Sequence, residues 1–395
     1  MSRKNCTVNG AKIQVEMIFF CTYNELQKLQ KDKITRGETM KTLLNCIEEI
    51  PDKLRKVYFH KEDIYKNVKS YIGDRNIKKI LIVASGTSYN AAFTTKIFGE
   101  KLLGIQIELM YPNDFYSFYN KELLNEETLY VFISQSGKTK LVYNSVELVK
   151  NKGLLNISIT EDVESPIAKA SSMTIDMKTD IETYVFRTIG YSNTYASMIF
   201  LYLGIMLNKD LLSKDEVDYY LKDYMKAVNN IEKIMEITTD WYNLNKETVL
   251  KYDKYIISGG ADLYPVAMEA AIKLMEMVPI FTSSFEIEEL IHGPQNVFDD
   301  SIGYFLISKE GLDSDKTLKI SDFVSNEIGK NAIVIGDVTR RDFDISVEYK
   351  SDNFYPLEIV TVFQVLSYRI ATDNNRDLHE RINSNLNNYV AKSLD

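Results

Sequence analysis

The stretch Lys79-Ile-Leu-Ile-Val-Ala-Ser-Gly-Thr-Ser-Tyr89 decides the fold. A short apolar run gives way abruptly to glycine and small hydroxyl residues. That order reads as a strand buried on both faces, a tight turn and the start of a helix. Leu129 to Ile133 repeats the design, followed by Ser134-Gln135-Ser136-Gly137 and the helix-like LVYNSVELVKN, which Gly153 ends. LLNISIT is the next strand. Strands alternating with helices predict an open parallel α/β sheet.

The second half of the chain returns to the same design. Lys254-Tyr-Ile-Ile-Ser-Gly-Gly-Ala-Asp-Leu-Tyr264 keeps the Lys-to-Tyr spacing 175 positions later, and Ile307-Ser308-Lys309-Glu310-Gly311 matches Ile133 to Gly137 at an offset of 174. Two matches at nearly one offset argue for a duplicated unit. The expected division is an irregular extension over 1–39, helices over 40–76 with a break near Pro51, and a first α/β unit over 77–210. Linker helices over 211–251, a second unit over 252–370 and a tail over 371–395 complete it. One reading of residues 1–39 places them upstream of a translation start at Met40, because Arg36-Gly37-Glu38 is encodable as a purine-rich ribosome-binding sequence.

Composition excludes several classes. The 395 residues are 45% hydrophobic and 26% charged, with a net charge of −9. This is ordinary globular composition, not collagen-like, low-complexity or disordered. Phosphate-neutralising contacts to nucleic acid need clustered Lys and Arg, so an acidic chain is not expected to bind DNA or RNA. Cys6, Cys21 and Cys46 make neither a CxxC pair nor an even disulfide set, and a reduced, cytoplasmic protein is expected. With His60, His292 and His379 the only histidines, no metal and no cofactor are expected. The longest apolar run, Ser197 to Leu207, is about half of the ~20 residues that span a bilayer, and reads as a buried helix.

Three constellations can carry chemistry. Ser134-Gln135-Ser136-Gly137-Lys138-Thr139 sits at a strand-to-helix turn, where unpaired N–H groups, the helix dipole and added hydroxyls cradle a phosphate. Gly86-Thr87-Ser88 occupies the corresponding turn of the preceding strand, and such carboxyl-end turns converge on one crevice. The alternative is simple N-capping by Ser or Thr. On the helical segment Leu263 to Val278, Glu269, Lys273 and Glu276 share one face at i, i+4 and i+7. They read either as a solvated face with ion pairs, or as a carboxylate base beside a cation. Finally, Glu289-Leu-Ile-His292-Gly293-Pro294 presents His292 at an abrupt turn, where it reads either as an ordinary surface or core residue or as the best general acid-base candidate of the chain.

Together, VASGTSYNAA, ISQSGKT, Glu182-x-x-Val185-x-x-Thr188, EAAIKLME and ELIHGP resemble the sugar isomerase (SIS) double-domain family. The resemblance covers about Met40 to Asp395. It is to the isomerase half of glucosamine-fructose-6-phosphate synthase and to stand-alone isomerase/deaminases and fructosamine-6-phosphate deglycases. It implies two tandem SIS domains, each a parallel sheet flanked by helices in a flavodoxin-like α/β/α arrangement. It also implies that Ser134, Gln135, Ser136 and Thr139 bind the phosphate of a hexose or amino-sugar 6-phosphate while Gly86, Thr87 and Ser88 line the sugar. Glu276 becomes the base that moves a proton between C1 and C2, with Lys273 as its polar neighbour. His292 opens the ring from the adjacent subunit of a homodimer with shared sites. Lys392, in Val390-Ala391-Lys392-Ser393, matches the tail lysine that forms a Schiff base with the open-chain ketose. The tail is expected to lie over the active site.

Departures from the synthase narrow the expectation. Ser2 stands where its glutaminase domain opens with a nucleophilic Cys, so glutamine is not the expected ammonia source. Lys138 replaces the usual Glu beside the phosphate turn, and Ile189 stands in place of a Lys. The expected function is isomerisation with deamination of an amino-sugar 6-phosphate. The alternatives are deglycation of a fructosamine 6-phosphate and, from another class, a sugar-phosphate sensor without turnover.

Overall fold

The computed structural model describes residues 42–394 except 181, 183, 330 and 331. The extension over 1–39 and the proposed start at Met40 lie outside the described residues. The chain falls into two units, Met1–Asn45 and Cys46–Asp395. In the first, Thr42 N–H donates to Asn45 Oδ1 over 2.9 Å.

Helices α1 (Ile50–Phe59) and α2 (Lys61–Ile72) precede the sheets. Pro51 stands in the first turn of α1, where its missing N–H costs nothing, so the chain breaks before it. The first sheet contains β1 (Lys79–Val83), β2 (Gln106–Met110), β3 (Thr128–Ile133), β4 (Asn156–Thr160) and β5 (Met173–Asp176). Its order is β2-β1-β3-β4-β5 and every pairing is parallel. The second sheet, β6 (Lys254–Gly259), β7 (Phe281–Glu286), β8 (Gly303–Ser308), β9 (Ala332–Gly336) and β10 (Ile345–Ser346), has the order β10-β9-β8-β6-β7. Position for position this is the order of the first sheet, again all parallel. The duplicated motifs therefore occupy equivalent strands: β6 repeats β1 and β8 repeats β3.

The central strands are buried along their length, β3, β4, β8 and β9 completely, as expected of parallel sheets covered on both faces. Helices α3 (Thr87–Thr94) and α4 (Lys140–Asn151) follow β1 and β3, and α7 (Leu263–Met277) follows β6. The apolar run 197–207 lies in α5 (Ile189–Asn208), whose residues are buried from Ile189 to Met206. A helix apolar all round belongs in the interior. Among the described residues no helix is long and apolar enough to cross a membrane. One unbroken helix, α6 (Lys214–Leu250), joins the halves. It opens on a capping box between Ser213 and Glu216 and packs along α8 (Tyr355–Asp373).

Candidate active site

A cavity of about 360 Å³ opens where β1 and β3 end, at the junction with α7 of the second half. The turn after β3 forms one wall. Gly137 has φ 64°, and a Cβ there would meet Ser165 Oγ at 2.0 Å, so only glycine fits this turn. Ser134 and Thr139 hydroxyls bond each other over 2.9 Å. Thr139 is the N-cap residue of α4 yet makes no side-chain capping bond. The exposed first N–H of α4, from Lys140, is taken instead by the Lys392 carbonyl at 3.0 Å. The Thr139 hydroxyl is thus not spent on capping, and simple N-capping does not describe the turn.

Gln135 is held by two buried carboxylates. Its Nε2 donates to Glu161 Oε2 over 2.9 Å and to Glu182 Oε2 over 3.0 Å. It lies so close to α5 that a Cβ on Gly190 would fall 2.0 Å from its Oε1. Glu182 in turn accepts the first N–H groups of α5, Thr188 at 2.8 Å and Ile189 and Gly190 at 3.2 Å. A carboxylate at a helix N-terminus satisfies orphan donors and complements the dipole. This is the structural work of the Glu182-x-x-Val185-x-x-Thr188 segment. Ile189, the departure from Lys, is buried at the start of that helix.

The opposite wall overturns the solvated-face reading of α7. Glu269 is 0% and Lys273 1% exposed. Lys273 Nζ lies 3.4 Å from Glu269 Oε1, 2.9 Å from Glu276 Oε2 and 3.2 Å from Thr87 Oγ1. Glu269 also accepts from Thr87 Oγ1 at 3.1 Å and Asn90 Nδ2 at 3.0 Å. Buried charges persist only when paired and hydrogen-bonded, and here the first half supplies the bonds. Burial alone would lower the Lys273 pKa, but the charges of Glu269 and Glu276 outweigh it and hold the ammonium above the ordinary lysine range. Glu276 ends this chain with its side chain 40% exposed, at the cavity.

Thr87, Ser88, Ser134, Gln135, Ser136, Thr139, Lys273, Glu276 and Lys392 all line the cavity. Gly86 starts α3 with φ 57° and contributes no lining, although Ser85 beside it does. His292 stands outside the cavity, its side chain 60% exposed and its Nδ1 2.9 Å from the Glu288 carbonyl. Lys138 lines nothing there; its carbonyl accepts the Leu394 N–H over 2.8 Å.

Two arginines on the cavity escaped the sequence reading. Arg187 Nη1 lies 3.6 Å from Glu161 Oε1 and also donates to the Glu182 carbonyl. Burial pushes the Glu161 carboxyl above its usual range, an effect that Arg187 and Gln135 partly offset. Arg381 donates to the Val185 carbonyl over 2.8 Å, tying the tail to the same segment. Only Arg187 carried a sequence signal, lying inside the Glu182-to-Thr188 motif. Arg381 sits in a polar stretch with no pattern.

Residues 75–206 match the family model described as SIS domain. The chain is 29% identical over 309 residues to the glutamine–fructose-6-phosphate aminotransferase (isomerizing) of Clostridium tetani, a match covering 76% of this chain and 50% of that enzyme. It thus spans about half the length of the curated relatives it matches. Its fold resembles that of a crystallised Clostridium difficile 630 protein provisionally described as a phosphosugar isomerase, with TM-score 0.83 and 25% identity over 89% of this chain and 99% of that one. Glucosamine-6-phosphate deaminase from Thermotoga maritima shares the fold at TM-score 0.67 and 19% identity, covering 86% and 97% of the two chains. Residues 75–206 thus match a SIS domain, and the strand order of that segment's sheet is repeated over Lys254–Ser346.

Proposed function

We propose that this chain is a phosphosugar isomerase-type enzyme that takes an amino-sugar or ketosamine 6-phosphate, with isomerisation and deamination of the amino sugar as the leading reaction. The observation that carries the reading is the pairing, across one cavity, of a hydroxyl turn at a helix N-terminus with the Lys273–Glu276 pair. The turn suits a phosphate and the pair suits proton transfer.

In this reading Glu276 removes the C2 proton of the open-chain amino sugar and returns it to C1. The product is a C2 imine; water adds to it, ammonia leaves, and a ketose 6-phosphate remains. Lys273, held as an ammonium, stabilises the enediol-like charge that develops between the two steps. A lysine fixed in that state is no nucleophile. Lys392 is the other lysine on the cavity and has no carboxylate partner among the described residues. In the reverse direction, from ketose 6-phosphate and ammonia, its amine adds to the ketose carbonyl, a proton passes from nitrogen to oxygen, water leaves to give the Schiff base, and ammonia then displaces the lysine to give the C2 imine. His292, remote from its own cavity, serves the site of a neighbouring copy in a homodimer.

Turnover assays on glucosamine 6-phosphate, fructose 6-phosphate with ammonia, and fructoselysine 6-phosphate test the proposal. Activity on the first two supports the leading reading. Release of amino acid from the third alone makes the chain a deglycase, which runs the same proton shift in the opposite sense. A phosphosugar-dependent thermal shift with no turnover makes it a sensor. Mixing His292→Ala with Glu276→Gln chains restores activity if sites are shared, and verified mixed dimers without activity would remove that part.

A further inference from the structure

The segment that carries Lys392 has very little to hold it. Residues 379–393 are all exposed, and Leu394 is the first side chain after Leu378 to be half-buried. Leu394 lines a groove of about 470 Å³ together with Tyr143, Pro166 and Ala170 of the first half. Ala170 belongs to the apolar core beneath α4 and Tyr143 packs against that core, so the groove is backed by a packed wall.

Between this seat and the cavity runs a minimal antiparallel ladder. Leu394 N–H donates to the Lys138 carbonyl over 2.8 Å, and Lys140 N–H to the Lys392 carbonyl over 3.0 Å. These bonds bracket the Thr139–Ser393 pairing. A pairing this short is marginal in water unless apolar burial fixes it. A slip by one residue would turn Lys392 to the other face and shift it by about 3.3 Å. Arg381 pins the tail to Val185 well upstream, across the exposed turn Ser384–Asn388, and so does not set this register.

We infer that Leu394 is a positioning residue: its seat beside Tyr143, Pro166 and Ala170 fixes the ladder that delivers Lys392 to the cavity. Emptying the seat uncouples Lys392 from the sugar while the hydroxyl turn, held by Gln135 and Gly137, stays intact. The inference rests on Lys392 being the Schiff-base amine proposed above.

The test uses the full chain with fructose 6-phosphate and sodium borohydride, read by intact and peptide mass. Wild type is expected to carry a reduced sugar adduct on Lys392. Leu394→Ala should lower both the trapping rate and turnover about tenfold or more, equivalent to one or two tenfold steps of barrier. Leu394→Met should restore both, and the thermal shift given by fructose 6-phosphate should be the same in all three proteins. An adduct formed equally fast in Leu394→Ala overturns the positioning role alone. Loss of the phosphosugar thermal shift along with the adduct also overturns it, since the side chain would then be serving the whole fold. Absence of any adduct in wild type overturns the Schiff-base reading and this inference with it.

Discussion

The two halves share a strand order but not a crevice. In the first, Thr87, Ser134 and Gln135 face an open cavity. Their counterparts in the second are Asp262, Ser308 and Lys309, and protein side chains fill the space between them. Tyr355 O–H donates to Asp262, Tyr349 O–H donates to the Ser308 carbonyl at 3.1 Å, and Lys309 Nζ lies 4.7 Å above the Tyr355 ring. Burial raises the Asp262 carboxyl above its usual range, with the Tyr355 bond pulling the other way. One scaffold thus supports an open cavity where the strand-end turns are left uncovered and a solid joint where Tyr349 and Tyr355 close over them. The second half still reaches the open site, because α7 delivers Lys273 and Glu276 across the junction.

If the open crevice alone does chemistry, the greatest loss follows Glu276→Gln. Exchange of the C1/C2 proton with solvent should fall by roughly 10²–10⁴-fold, while the phosphosugar thermal shift persists. Loss of binding in place of exchange would make the residue structural. Next is Lys273→Met, which leaves Glu269 buried with only Thr87 and Asn90 to bond it. Removing one partner of a buried pair costs about 3–5 kcal/mol, measurable by urea unfolding. Unchanged stability would show that the junction does not depend on this pair.

The closed crevice offers smaller tests. The loop over residues 349–354 that closes it is gripped by Glu358, which accepts Lys350 N–H at 3.0 Å, and by Asp223, which accepts Asn353 N–H at 2.9 Å. Burial raises the Glu358 pKa from 4.5 to about 7, against the opposing hydrogen bonds from Lys350 and Asn230. The folded state therefore holds more protons than the unfolded state between those values, and this group's contribution to stability falls as pH rises from 4.5 to about 7. At most about 3 kcal/mol is involved, and Glu358→Gln should flatten the unfolding profile over that range. A profile with the same slope in both proteins would remove Glu358 as its source. The smallest effect is expected for Tyr355→Phe, which should cost about 1–3 kcal/mol by leaving Asp262 without its donor, and should leave turnover unchanged. A change in turnover would mean that the second crevice is coupled to the first.

Much of this was legible because it is local. A Lys-to-Tyr run with a glycine turn specifies strand, turn and helix wherever it occurs, so both copies and their common order could be read from short segments. The hydroxyl turn was legible for the same reason. Lys273 and Glu269 were not, since an i, i+4 ion pair looks the same on a solvated face and in a core; only Thr87 and Asn90, from the other half, show which it is. Arg381 and Leu394 were invisible because nothing periodic marks a tail whose contacts are single side chains.

By itself, then, the sequence determined the duplicated parallel α/β units, the strand-end turns and the residue types able to hold a phosphate and move a proton. Only the tertiary structure decided which turn would open and which would close, that the charged face of α7 is interior, and that Lys392 reaches the cavity. The physical reason is range. Backbone conformation and periodicity follow from neighbours a few residues apart, whereas desolvation and charge pairing depend on groups that folding brings together from distant parts of the chain.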